Sequence, residues 1–175
     1  MTQRKKPTKK SPRKPEAMGG PYLAAAMFCE KIVEDKDDGA LTVIRMIDKI
    51  TVLFSPPPNL PRDAQLLTPV NIAALLAFKT GDSPGQHRVR LQINMPSGTT
   101  QTTEYTLNLS KEPYGGQNLR LNNTIALDAN KDGGLIWLDV YLDDRRVTRM
   151  QLQIEIKRTE IPQIQTGQKA STEQK

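Results

Sequence analysis

The chain is poor in the residues that chemistry most often needs. It has one cysteine, Cys29, and one histidine, His87, among 175 residues. One cysteine excludes an internal disulfide framework and fits a reducing, cytoplasmic setting. A zinc site needs three or four nitrogen, sulfur or oxygen ligands at suitable spacing, and only one conventional soft ligand of each kind is available. A Cys29–His87 nucleophile pair is conceivable. The simpler reading makes Cys29 a small buried hydrophobe on the first strand and His87 an exposed residue opening a later one. Neither a phosphate-cradling Gly-x-x-x-x-Gly-Lys loop nor a dinucleotide-binding Gly-x-Gly-x-x-Gly occurs. No apolar run approaches the roughly 18–20 residues that span a membrane. The longest near the start, Tyr22 to Cys29, is cut off from the basic N-terminus by Gly19-Gly20-Pro21, and bulky Phe28 before Cys29 does not suit a lipoprotein cleavage site.

Acid is missing from the first fifteen residues, which hold Arg4, Lys5, Lys6, Lys9, Lys10, Arg13 and Lys14. Those are seven of the 25 basic residues, so the other 160 residues carry 18 basic against 19 acidic side chains, a net charge of −1. The pI of about 9.5 therefore describes an arm and not a domain. Residues 1–20 contain three prolines and almost nothing large and apolar, so burial cannot offset their ordering entropy and disorder is expected. Met18 offers an alternative start, in which case the arm is not made. The polar stretch 159–175 reads as a second disordered tail, and 21–158 as one domain.

Within that domain the strongest pattern runs from Gly134 to Lys157. Ile136, Leu138, Val140 and Leu142 alternate with other residues, as do Met150, Leu152, Ile154 and Ile156. Period two means strands with one apolar face each. Asp143, Asp144 and Arg145 between them suit a hairpin turn. A second hairpin is expected around Glu34 to Gly39, joining Tyr22–Val33 to a strand over Ala40–Phe54. Ile72–Phe78 has helical propensity, but it is short, lies between Pro69 and Gly81, and reads as a strand. Val89, Leu91 and Ile93 alternate, as do Thr103, Tyr105, Leu107 and Leu109; Leu119 to Leu127 forms another run. About eight short strands and no long helix predict an all-β antiparallel sandwich, immunoglobulin-like or C2-like.

Three segments together are familiar: Phe28-Cys29-Glu30-Lys31; Asp38-Gly39 with Leu41 to Asp48; and Leu135 to Asp144 with Thr148-Arg149. On these the chain resembles a family of small uncharacterised bacterial all-β proteins, over roughly Ala24 to Ile156. The resemblance implies a sandwich fold and a strand at Ile72–Phe78. It implies no activity and no catalytic residues, and the basic arm lies outside it.

Asp128-Ala129-Asn130-Lys131-Asp132-Gly133, with Asp139 beyond it, has the spacing of a calcium loop. Against that, strand-like sequence follows it, the twelfth position is Asp where Glu is usual, and the same residues make a good inter-strand turn. Glu30, Arg45, Asp48, Asp139 and Arg149 are charges within β-patterned segments, read as solvated faces or cross-strand ion pairs. Trp137 and Tyr141 share a strand face with Asp139, and alternation alone does not say whether that face is inside or outside.

The function expected from this pattern is a non-enzymatic binding or protein-interaction module, with no cofactor, no metal and no catalytic residue assigned. Its partners are a protein or a second copy, and nucleic acid through the seven arm cations, bound without sequence preference. The alternatives are a hydrolase or metal protein using Cys29/His87 or the Asp128–Asp139 loop, and a structural subunit that pairs through a sheet edge.

Overall fold

The computed structural model describes residues 19–55, 64–112 and 115–159. The basic arm cations and the polar tail beyond Thr159 lie outside them, and so does the expectation of disorder there. The described residues form nine strands and no helix. They are β1 (Tyr22–Glu34), β2 (Leu41–Met46), β3 (Lys49–Phe54), β4 (Leu67–Lys79), β5 (Gly85–Asn94), β6 (Thr100–Leu109), β7 (Gly116–Asp128), β8 (Gly134–Leu142) and β9 (Arg145–Arg158). Two sheets pack face to face, one of four strands in the order β2-β1-β4-β7 and one of five in the order β3-β9-β8-β5-β6. Every pairing is antiparallel except β3 with β9, which is parallel.

The expected sandwich is present, with one strand more than the alternation indicated. The extra strand comes from Ala40–Phe54, which is not one strand but two. Ile47 N donates to Phe28 O in the four-stranded sheet, while Asp48 O accepts from Gln153 N in the five-stranded sheet. Neighbouring residues thus anchor to opposite layers, and the chain crosses between them just after Arg45, whose φ is +48°. The parallel β3–β9 pair follows from that crossing.

Ile72–Phe78 lies within β4, in the middle of its sheet. Val70, Ile72, Ala74, Leu76 and Phe78 face the core. On the opposite face Ala73 and Leu75 are also buried, though outside the core cluster. A strand covered on both sides loses its alternation and mimics a helix in sequence. Part of the outer cover is the β1–β2 hairpin. β1 pairs with β4 only as far as Cys29–Ala73, yet Glu34 five residues on forms an ion pair with Arg120 of β7. Arg120 lies opposite Leu75, behind that point along the sheet, so the hairpin bends back across the outer face of β4. Pro69 is tolerated in β4 because β1 has stopped pairing there, and only β7 flanks it.

The core lies between the layers. Phe28, Leu76, Phe78, Leu121, Ile125 and Leu127 from one sheet meet Val89, Leu91, Leu107, Ile136, Leu138, Val140, Leu152 and Ile154 from the other. The β8–β9 hairpin forms as expected, with Asp143 and Asp144 both at positive φ, 47° and 64°. Two consecutive left-handed residues are what a tight hairpin turn requires, and Asp tolerates them better than most.

Candidate functional site

β8 settles which of its faces is inside. Ile136, Leu138, Val140 and Leu142 are buried in the core, so Trp137, Asp139 and Tyr141 stand on the outer face of the five-stranded sheet. β8 is the middle strand, and register brings both neighbours to it. On β5, Asn94, Gln92 and Arg90 lie opposite Trp137, Asp139 and Tyr141. On β9, Gln151 and Arg149 lie opposite Trp137 and Asp139, and a register shift at Val140/Tyr141 sets Arg146 against Tyr141. The Arg90 guanidinium stands 3.9 Å over the Tyr141 ring and that of Arg149 5.4 Å from the centre of Trp137. Each such contact is worth about 0.5–1 kcal/mol at an exposed site.

Between the two rings, Asp139 is 1% exposed. Arg149 donates from Nε to Oδ1 at 2.7 Å and from Nη2 to Oδ2 at 2.8 Å. Asn94 Nδ2 donates to Oδ2 at 3.1 Å, and Arg146 Nη1 lies 3.6 Å from Oδ1. The hydrogen bonds from Arg149 hold the Asp139 carboxyl below the usual carboxylate range although burial pushes the other way. The same contact raises the Arg149 guanidinium. A carboxylate with both oxygens taken is no free base. It is a fixed anchor that aims Arg149 alongside Trp137, so the strip presents two guanidinium–aromatic pairs. They lie four residues apart on β8, about 13 Å at strand rise. Glu104 lies opposite Arg90 on β6 and is the acid next to this strip.

The other residues singled out in the sequence do not join it. Cys29 is buried on β1 in the four-stranded sheet, where desolvation raises its thiol pKa. His87 is on β5 in the other sheet. It is not the exposed residue expected: its side chain is 12% exposed, with Nδ1 2.7 Å from Asp143 Oδ2 and Nε2 2.9 Å from Ser83 O. The Asp143 turn that follows β8 folds back over it. Cys29 and His87 are therefore not a pair.

The Asp128–Gly133 segment is the β7–β8 turn. Asp132 accepts from Asp128 N at 2.7 Å and Ser97 N at 3.3 Å, and Asp128 accepts from Asn130 N at 3.0 Å. Asp139, the twelfth-position acid, is committed to Arg149 on the sheet face and does not converge with them. Among the described residues no cluster of three or more His, Cys, Asp or Glu is placed to hold a metal. Glu30 and Arg45 form a cross-strand ion pair at 3.1 Å, as one reading of those charges expected. Arg90 and Arg146 were not singled out in the sequence. Only their register against Tyr141 marks them, and register is a long-range property.

No family model matches the chain, and no curated protein matches it. Among solved structures it is similar to the Pseudomonas fluorescens alkylpurine DNA glycosylase AlkC bound to DNA containing an abasic site analog. The identity there is 13% and the TM-score 0.38, over 52% of this chain and 29% of that one, so the chain spans less than a third of that protein's length. It is also similar to an immunoglobulin-like protein from Pseudomonas aeruginosa, with 9% identity and a TM-score of 0.34 over 80% of this chain and all of that one. Likenesses of this strength carry neither a family nor an activity to this chain. Among the described residues no helix is long and apolar enough to cross a membrane.

Proposed function

We propose that the protein is a non-enzymatic binding module whose ligand surface is the outer face of the five-stranded sheet. The arm cations Arg4, Lys5, Lys6, Lys9, Lys10, Arg13 and Lys14 add non-specific contact with nucleic acid phosphates. The observation that carries this reading is the Asp139–Arg149 anchor flanked by two guanidinium–aromatic pairs on an open sheet face. Arg planes and aromatic rings stack on nucleobases irrespective of sequence, and cations beside them meet phosphate. The arm supplies the long-range attraction, because the rest of the chain has a net charge of 18 − 19 = −1. The hydrolase alternative draws no support from Cys29 and His87, which lie in different sheets. The test is titration of a fluorescent single strand and a fluorescent duplex with the full chain, a version beginning at Met18, and Trp137→Ala. Single-strand binding weakened by both changes supports the reading. Binding unaltered by either defeats it.

A further inference from the structure

The two sheets differ by one strand, and the difference is visible on one side. β6 and β7 are the edge strands there. They meet beside their connecting loop, where Asn108 N donates to Gln117 Oε1 at 2.8 Å. Away from the loop they part. On the inner face of β6, Leu109 and Leu107 are buried, Tyr105 is half-buried, and Thr103 and Gln101 are exposed. β6 thus overhangs β7 increasingly toward Thr100, and nothing among the described residues covers it. Behind the overhang a space of about 20 Å³ opens between the layers, lined by Ile93, Leu121, Asn123 and Ile125 among others.

Edge strands are usually blunted by proline, charged side chains or a bulge. Between Gly116 and Leu127, β7 has only Arg120, which is paired with Glu34. Its thirteen residues pair with β4 in unbroken register, and its outer edge has no strand partner among the described residues. β6 pairs with β5 equally regularly over ten residues and also lacks proline and lysine. On the opposite side of the sandwich the edges are short, six residues each in β2 and β3, with Arg45 at positive φ and Lys49 ion-paired to Glu155.

We infer that the β6–β7 side is a docking groove for a single extended segment of another protein, uncharged and with a small apolar side chain at every second position, added to the free edge of β7. The chemistry selects this occupant. The groove walls Ile93, Gln101, Thr103 and Asn123 are uncharged, and Arg120 of β7 is engaged with Glu34 on the other face. A polyanion gains nothing there, and the proline- and lysine-rich arm is a poor strand. A second sandwich is excluded from β7 by the overhang, since its own β6 would collide with this one. A lone strand fits, completes the four-stranded sheet to five, covers Gln101 and Thr103, and points alternate side chains at the space beside Ile93. That space holds about one water, so the inward side chains are small.

The test uses the full chain and the peptide acetyl-Thr-Val-Thr-Val-Thr-Val-Thr-amide, read by hydrogen–deuterium exchange. At saturating peptide, alternate β7 amides between Leu119 and Ile125 are expected to slow about tenfold or more, while β3 amides are unchanged. The same peptide N-methylated along one edge, or carrying Glu in place of Val, is expected to give no slowing. Slowing confined to β3, slowing that survives N-methylation, or none at millimolar peptide overturns the proposal. So does a free protein whose outward β7 amides are already as slow as those of β4, because a segment of this chain then fills the groove.

Discussion

Asp139 and Arg149 face each other across the β8–β9 pair through two hydrogen bonds of 2.7 and 2.8 Å, with the carboxylate buried and the guanidinium half in water. The asymmetry decides what each removal does. Arg149→Ala leaves a buried anion with only Asn94 and a more distant Arg146. The loss expected when a buried pair is broken is about 3–5 kcal/mol. Arg149 is 46% exposed and Arg146 can move closer, so about 2 kcal/mol is the expected cost here. Asp139→Asn in the Arg149→Ala background is expected to recover part of it. Urea denaturation of the two variants and the double variant measures this. An Arg149→Ala midpoint equal to wild type would place the Asp139 charge in water.

Acid should unfold the protein through the same contacts. Asp139 is lowered chiefly by the hydrogen bonds from Arg149 and Glu155 by that from Lys49. Burial pushes Asp143 up, but hydrogen bonds from His87 and the Arg88 amide bring it down on balance. A carboxylate lowered by folding contributes stability that is fully present above its unfolded pKa, about 3.9 for Asp and 4.3 for Glu. That contribution is lost as pH falls through the lower folded value. Melting temperature should therefore fall steeply below about pH 4. Arg149→Ala should flatten that fall, since it removes the main cause of the Asp139 shift. Parallel pH profiles for wild type and variant would reject the assignment.

The β7–β8 turn gives a separate prediction. Asp132 accepts from two backbone amides, so Asp132→Ala strands both, at a cost of about 1–2 kcal/mol. At about 2–4 °C per kcal/mol for a chain of this size, melting should fall by several degrees. Calcium or EDTA should leave the wild-type melting temperature where it is, because the loop's twelfth-position acid serves Arg149. A calcium-dependent rise of several degrees would mean the loop reorganises around a cation.

What could be read beforehand divides along short and long range. The β8–β9 hairpin was legible because its alternation and its Asp143-Asp144 turn are local. Ile72–Phe78 was nearly hidden, since Ala73 and Leu75 are covered by a hairpin folded over from elsewhere in the chain. The break at Ile47-Asp48 left no trace in a continuous β-branched run. It exists because adjacent backbone groups bond to different sheets. His87 reads as exposed until the Asp143 turn, 56 residues away, closes over it. The candidate face was half legible: Trp137, Asp139 and Tyr141 share a strand face by parity alone. That this face is the outer one, and that Arg90 and Arg149 stack on it, depends on three strands in register.

Two contributions to nucleic-acid binding should be separable. The arm's part of binding rests on charge alone, so it should be steep in salt and blind to sequence. If all seven cations met duplex phosphates, the slope of log K against log salt would be about −6, nearly four decades of affinity between about 50 and 200 mM. A chain starting at Met18 should lose most of that slope. The sheet face provides stacking, which depends little on salt and needs unpaired bases. Trp137→Ala and Arg90→Ala should therefore leave the duplex slope unchanged and weaken single-strand binding by about 1–3 kcal/mol per lost stack, a factor of about five to more than a hundred. The two sets of changes should be close to additive when arm and face bind independently. Fluorescence anisotropy at three salt concentrations, on single strand and duplex, reads both terms. A Met18 version that keeps the full slope would move the phosphate contacts onto the sandwich. Single-strand affinity indifferent to Trp137 and Arg90 would leave the face without a nucleobase and the arm as the whole of the binding.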